Sequence, residues 1–188
     1  MHPPRDKLPG LTFQARELAM LASPTAWLND WCLNGCIPLL ISTIQPANAS
    51  CFAVLSTHEL PRIRHDIPDH ELWRVTSRTR FWTKDCWIIP IHHPAPENHW
   101  VLCIADFSRQ ELRLFNSLAQ QMPWHSDVPV SPRLDVLYYP VRTLTFMQDV
   151  MRLVTHLLTI AKRKHPTAIQ LNYRPWVAYP TMVCSFSN

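Results

Sequence analysis

No stretch of this sequence approaches the roughly 18 unbroken apolar residues that a membrane span requires, so no spanning helix is expected. The N-terminus, Met1-His2-Pro3-Pro4-Arg5-Asp6-Lys7, lacks the apolar centre of a secretory signal. The six cysteines do not read as a disulfide framework. Most sit beside large apolar residues, as buried thiols of a reducing compartment do. Cys32 and Cys36 lie one helical turn apart, but no His and no second Cys pair stands at zinc-ligand spacing, so no metal or other cofactor is expected. Glycine is nearly missing, with two residues against 18 prolines. Proline fixes φ and ends regular elements, so the chain reads as a series of short segments without repeats or low-complexity tracts. Charge is sparse as well, with a net +4. Its one dense cluster, Lys162-Arg163-Lys164-His165, reads as a solvated helix end that complements the helix dipole. Neither a nucleic-acid nor a membrane partner is expected, and the protein is placed inside the cell, in nucleus or cytoplasm.

What is present is apolar and aromatic: 47% of the residues are hydrophobic, with eight Trp, seven Phe and four Tyr among 188 residues. That composition builds one ordinary domain rather than a disordered chain. Residues 1–10 read as a tail and 11–188 as the domain.

Leu11 to Ala22 predicts a short helix ended by Ser23-Pro24. Trp27-Leu28-Asn29-Asp30 follows, where Asn29 or Asp30 can cap a helix carrying Trp31, Leu33, Ile37 and Leu40, with Pro38 expected to kink or shorten it. Residues 45–50 read as a loop, Cys51 to Leu55 as an apolar return, and residues 56–80 as surface helix and loop. Trp87 to His92 predicts a buried strand. His99 to Asp106 predicts a strand apolar on both faces, as if covered on both sides. Glu111 to Leu118 alternates as a third strand. Leu144 to Ala161 carries a helical stripe of Leu144, Met147, Val150, Met151, Val154, Leu157 and Leu158, read as core. Tyr173 to Asn188 reads as irregular or extended. The order gives an α+β domain with a mixed central sheet flanked by helices.

A hairpin turning at Ser108–Arg109 sets His99 opposite or diagonal to Asn116, a few ångströms apart across the strands. An imidazole oriented by a carboxamide is two thirds of a Cys-His-Asn arrangement: the amide oxygen accepts from one ring nitrogen and leaves the other to take a thiol proton. The same pair could equally be a structural hydrogen bond.

Four segments, in order, resemble the cysteine proteases that cleave ubiquitin-like modifiers such as SUMO. Trp27-Leu28-Asn29-Asp30 looks like that family's W-L-N-D motif. Trp87-Ile88-Ile89-Pro90-Ile91-His92 is similar to its apolar strand ahead of the catalytic histidine. Asn98-His99-Trp100-Val101-Leu102-Cys103-Ile104-Ala105-Asp106 is similar to its N-x-H-W-x-L-x-x-x-D strand. Phe115-Asn116-Ser117-Leu118 stands where the family usually has D-S-L, at the usual 17-residue step from the histidine. The resemblance implies a cysteine-protease-like fold, His99 as general base and Asn116 in place of the orienting aspartate. It also implies Trp27 and Trp100 as flat walls closing over a Gly-Gly tail, which only residues without a Cβ can thread. Asn29 and Asp30 would join them as substrate contacts, and the partner would be a ubiquitin-like modifier or its conjugates.

The family's Q-x-N-G-x-D-C-G motif, which supplies an oxyanion Gln and the nucleophile at a helix start, is not found in these 188 residues. Aligning Asn188 with the motif's Asn puts Phe186 where the Gln belongs. Cys184 is the one nearby thiol, without a following helix. The expectation is therefore an incomplete copy of the catalytic domain, its C-terminal part missing, inactive as it stands. Its sheet faces at 87–91 and 99–106 would be left wet for want of a helix. Two other readings fit the same residues: a module that holds a modifier without cutting it, and a plain α+β interaction domain.

Overall fold

A computed structural model describes residues 13–44, 50–93, 98–116, 141–166, 169 and 176–182, with backbone alone for 141–147 and 178–182. Leu11, residues 45–49, Ser117-Leu118, the side chains of Leu144 and Met147, and Cys184 with Phe186 lie outside the described residues. The chain divides into two units, residues 1–45 and 46–188.

In the first unit, α1 spans Ala15–Ala22, opened by a capping box in which the Gln14 side chain accepts from the Glu17 backbone N–H and Glu17 reaches back to the Gln14 N–H at 3.0 Å. Helix α2 spans Asp30–Thr43 and starts where the sequence placed it, with Asn29 Oδ1 accepting from the Cys32 N–H at 2.9 Å. Pro38 does not shorten α2, which runs five residues beyond it. The ring's fixed φ is helical, and the loss is one ladder bond to Asn34, which the apolar turn Leu39–Ile41 continues past. The Ser42 and Thr43 hydroxyls donate to the Leu39 and Leu40 carbonyls at 2.6 and 2.7 Å and close the last turn.

The second unit is a five-stranded sheet in the order β1-β2-β3-β4-β5. The strands are β1 (Phe52–Val54), β2 (Cys86–His93), β3 (His99–Asp106), β4 (Glu111–Asn116) and β5 (Val177–Met182). β2, β3 and β4 run antiparallel in sequence, while β1 and β5 add to the edges in parallel, making the sheet mixed. The β3–β4 turn is an Asx-type turn: Asp106 Oδ1 accepts from the Ser108 hydroxyl at 2.7 Å and the Arg109 N–H at 3.0 Å. Gln110 then takes a left-handed φ of 56° to bring the chain back. The tail expected to be irregular or extended is a strand, β5, with Pro180 opposite Leu114. Pro is tolerated on an edge strand, where one N–H faces away from the ladder.

Between β1 and β2 lie α3 (Glu59–Arg64), α4 (Asp69–Thr76) and two short 3₁₀ turns, and α5 (Val141–Lys164) packs on α3 and α4. The region expected to be surface is only half so, because Leu60, Ile63 and Leu72 are buried in the core. Short amphipathic helices hide such residues among the His, Arg and Asp of their outer faces. The stripe of α5 is core where its side chains are described: Val150, Val154 and Leu157 are fully buried, Leu158 is buried, and Met151 packs at the margin.

The register sorts the sheet into two faces, since side chains of paired residues point the same way. One face carries Trp87, Ile89 and Ile91 of β2, Val101, Cys103 and Ala105 of β3, and Leu112 and Leu114 of β4, all within the hydrophobic core with α5. This face is not wet, where both faces were expected to be. On the other face Trp100, Leu102 and Ile104 are only half-buried, so β3 is not covered on both sides by the described residues. Its uniform hydrophobicity misread an alternating burial.

Candidate active site

The end of the sheet nearest the 93–99 connection gathers the polar chemistry. Val101 pairs with Asn116, so Asn116 stands diagonal to His99 on the core face. His99 Nε2 lies 3.1 Å from Asn116 Oδ1, with His99 4% and Asn116 6% exposed. An amide oxygen can only accept, so Nε2 carries the proton and Nδ1 is the lone-pair nitrogen of the neutral ring. A buried pair held this way has one tautomer and one ring orientation. Both are what a general base acting through Nδ1 needs.

His93 is the register partner of His99, and the two rings stand 5.1 Å apart at 41°. The sequence reading passed over it; the signal was its place as the last residue of β2, directly across from the strand that begins at His99.

Trp100 points to the opposite face, half-buried, with the His92 ring 4.9 Å away. Trp27 belongs to the first unit, just before the α2 cap, and is 61% exposed. Asn29 is the N-cap of α2 and Asp30 its first residue, at the end where the helix dipole favours a carboxylate. Both residues thus take part in starting α2. Cys184 lies outside the described residues.

Among the described residues three thiols depart from ordinary acidity, all upward and away from thiolate. Burial, then the neighbouring Cys32, raises Cys36. Burial pushes Cys86 up to about 11, with Asp106 and Asp85 adding to it. Full burial among apolar residues pushes Cys103 up to about 12. Among the described residues no three His, Cys, Asp or Glu side chains gather as a metal site, and no helix is long and apolar enough to cross a membrane.

No protein-family model matches the sequence, and no curated protein does. Solved structures do. The SUMO protease Ulp1 with its catalytic cysteine oxidized to a sulfonic acid superposes with a TM-score of 0.53 at 15% identity, over 93% of this chain and 65% of that one. The Ulp1 protease domain in complex with Smt3, the yeast ortholog of SUMO, matches with a TM-score of 0.51 at 16% identity, over 88% of this chain and 60% of that one. The Ulp1-like SUMO protease catalytic domain of Chaetomium thermophilum matches with a TM-score of 0.51 at 18% identity, over 82% of this chain and 53% of that one. The chain thus spans less than two thirds of the length of each of these three structures. At these identities the likeness is one of fold, and the chain shares its fold with the catalytic domains of Ulp1-like SUMO proteases.

Proposed function

We propose that the chain carries the base half of a cysteine-type peptidase or isopeptidase acting on ubiquitin-like modifiers of the SUMO type after a Gly-Gly tail. The observation that supports this is the buried His99–Asn116 hydrogen bond at the end of a hairpin in a SUMO-protease-like fold. In this reading His99 takes the thiol proton through Nδ1, and Asn116 holds the ring. The nucleophile would be a thiol set in the family's Q-x-N-G-x-D-C-G context, which the 188 residues do not contain. Cys184 is the weaker alternative. A neutral amide contributes no charge to the imidazolium, so the rate would fall below that of an aspartate enzyme. Trp100 and, from the sequence resemblance, Trp27, Asn29 and Asp30 would contact the modifier. The working compartment would be nucleus or cytoplasm.

A second reading is a module that binds the modifier without cutting it, supported by the lack of the family's nucleophile motif in these 188 residues.

The test is turnover of a fluorogenic modifier ending in Gly-Gly by the 188-residue chain and by a version extended with the Q-x-N-G-x-D-C-G segment. The expected result is no measurable turnover by the former, and turnover by the latter that His99→Ala abolishes. Tail-dependent binding without turnover by the extended version supports the second reading. Neither turnover nor binding overturns both.

A further inference from the structure

A second His–Asn pair, His92 of β2 and Asn98 just before β3, lies on the face opposite His99, where the general-base role gives it no part. His92 Nε2–H donates to Asn98 Oδ1, and the same imidazole lies against the Trp100 indole with ring centroids 4.9 Å apart at 48°. The register sets His92 directly opposite Trp100 across β2 and β3, and Asn98, just before β3, reaches the same imidazole. The imidazole is therefore pinned on two sides, by a hydrogen bond and by an aromatic contact. His92 and Asn98 are both exposed, so neither is needed to fill the core.

An exposed histidine pinned in this way costs side-chain entropy and covers little apolar area. Its physical effect is on the indole. The imidazole, tilted 48° to the indole at 4.9 Å, restricts the indole's rotation before any ligand arrives. Flat-walled recognition of a thin peptide depends on such fixing, because ordering the wall at the moment of binding would subtract from affinity.

We infer that His92, fixed by Asn98, is a positioning residue that pre-orders the Trp100 indole for a glycine-ended peptide tail, and so determines tail specificity rather than turnover chemistry. The inference rests on the functional reading above. Its substrate class is the tail itself, an extended segment whose last two residues lack side chains.

The experiment compares the whole chain with its His92→Ala, His92→Phe and Asn98→Ala variants. Each is titrated calorimetrically with SUMO bearing its Gly-Gly tail and with SUMO lacking it, and the affinity ratio of the two forms is the readout. The wild-type chain is expected to prefer the tailed form. His92→Ala should lower that ratio about three- to tenfold, the range of one lost aromatic contact. His92→Phe, which keeps a ring but not the hydrogen bond, and Asn98→Ala should each lower it less, with affinity for the tail-less form unchanged throughout. In parallel, the Trp100 indole N–H resonance, identified by its loss in Trp100→Phe, should shift and gain mobility in His92→Ala. An unchanged ratio, an equal loss of affinity for both forms, or an unmoved indole resonance overturns the inference and leaves the functional reading standing. A wild-type chain indifferent to the tail overturns the functional reading, and the inference with it.

Discussion

Val101, not His99, is the register partner of Asn116, and the His99–Asn116 hydrogen bond therefore runs diagonally across β3 and β4 at 3.1 Å. The pair sits at the end of the β3–β4 ladder, on the core face of the sheet. Its bond is made by side chains alone, so substitutions there test the pair without breaking strand hydrogen bonds.

Asn116→Ala strands the buried His99 N–H without its acceptor. The expected loss is about 1–3 kcal/mol, the penalty of one unsatisfied buried donor. Urea denaturation measures it, and a change well below that range would mean that the imidazole finds another acceptor.

Arg64 of α3 donates to Asp149 of α5 at 2.5 Å, and the two side chains are unequally exposed, 39% for Arg64 and 13% for Asp149. The inequality fixes the order of two variants. Asp149→Ala leaves an arginine that can turn into water, whereas Arg64→Ala leaves a carboxylate in a largely dry site. The first should cost about 1 kcal/mol and the second about 2 kcal/mol or more, because an uncompensated buried charge is the costlier remnant. Paired urea melts decide it, and equal losses would show that Asp149 is better hydrated than its burial indicates.

Cys86 and Cys103 supply a chemical check on packing. With acidities pushed up to about 11 and about 12, neither holds an appreciable thiolate fraction at pH 8. Iodoacetamide at that pH, read by mass spectrometry, should leave both unmodified in the native chain and alkylate both in urea. Native labelling of Cys103, which is fully buried at the centre of β3, would mean that the sheet opens between β3 and the α5 layer.

The hairpin was legible in the sequence because its turn chemistry and its strand lengths are local. Asp106-Phe107-Ser108-Arg109 announces the turn, and counting back along two strands sets the register that joins residues 99 and 116. The α2 start was legible for the same reason, as an Asn cap is a local device. What misled is non-local. Leu60, Ile63 and Leu72 sit among charged neighbours, and only the packing of α5 onto α3 and α4 shows that they are core. Uniform hydrophobicity in Val101-Leu102-Cys103-Ile104 concealed which face was the inner one. The predicted strand stopped at His92, whereas β2 runs on to His93, and the pleat sends the two to opposite faces. One then stands beside His99 and the other against Trp100.

Glu59 provides the test of how α3 docks. It is 2% exposed, and Arg62 Nη1 donates to both of its carboxylate oxygens at 3.0 Å. Burial raises its pKa more than Arg62 lowers it, so the net shift is upward. A carboxyl with a raised folded-state pKa binds more protons folded than unfolded. Its contribution to stability is therefore greatest below the unfolded value of about 4.3 and declines as pH rises through the folded value. Glu59→Gln keeps the shape and removes the titration. The difference in urea midpoint between Glu59→Gln and wild type should thus grow in favour of the variant as pH is raised from 4 through the carboxylate range, then level off once wild-type Glu59 is fully ionised. Arg62→Ala should steepen the wild-type decline, since it removes the partner that offsets desolvation. A midpoint difference independent of pH would show that the Arg62 fork cancels the cost of burial completely, leaving α3 indifferent to the charge it encloses.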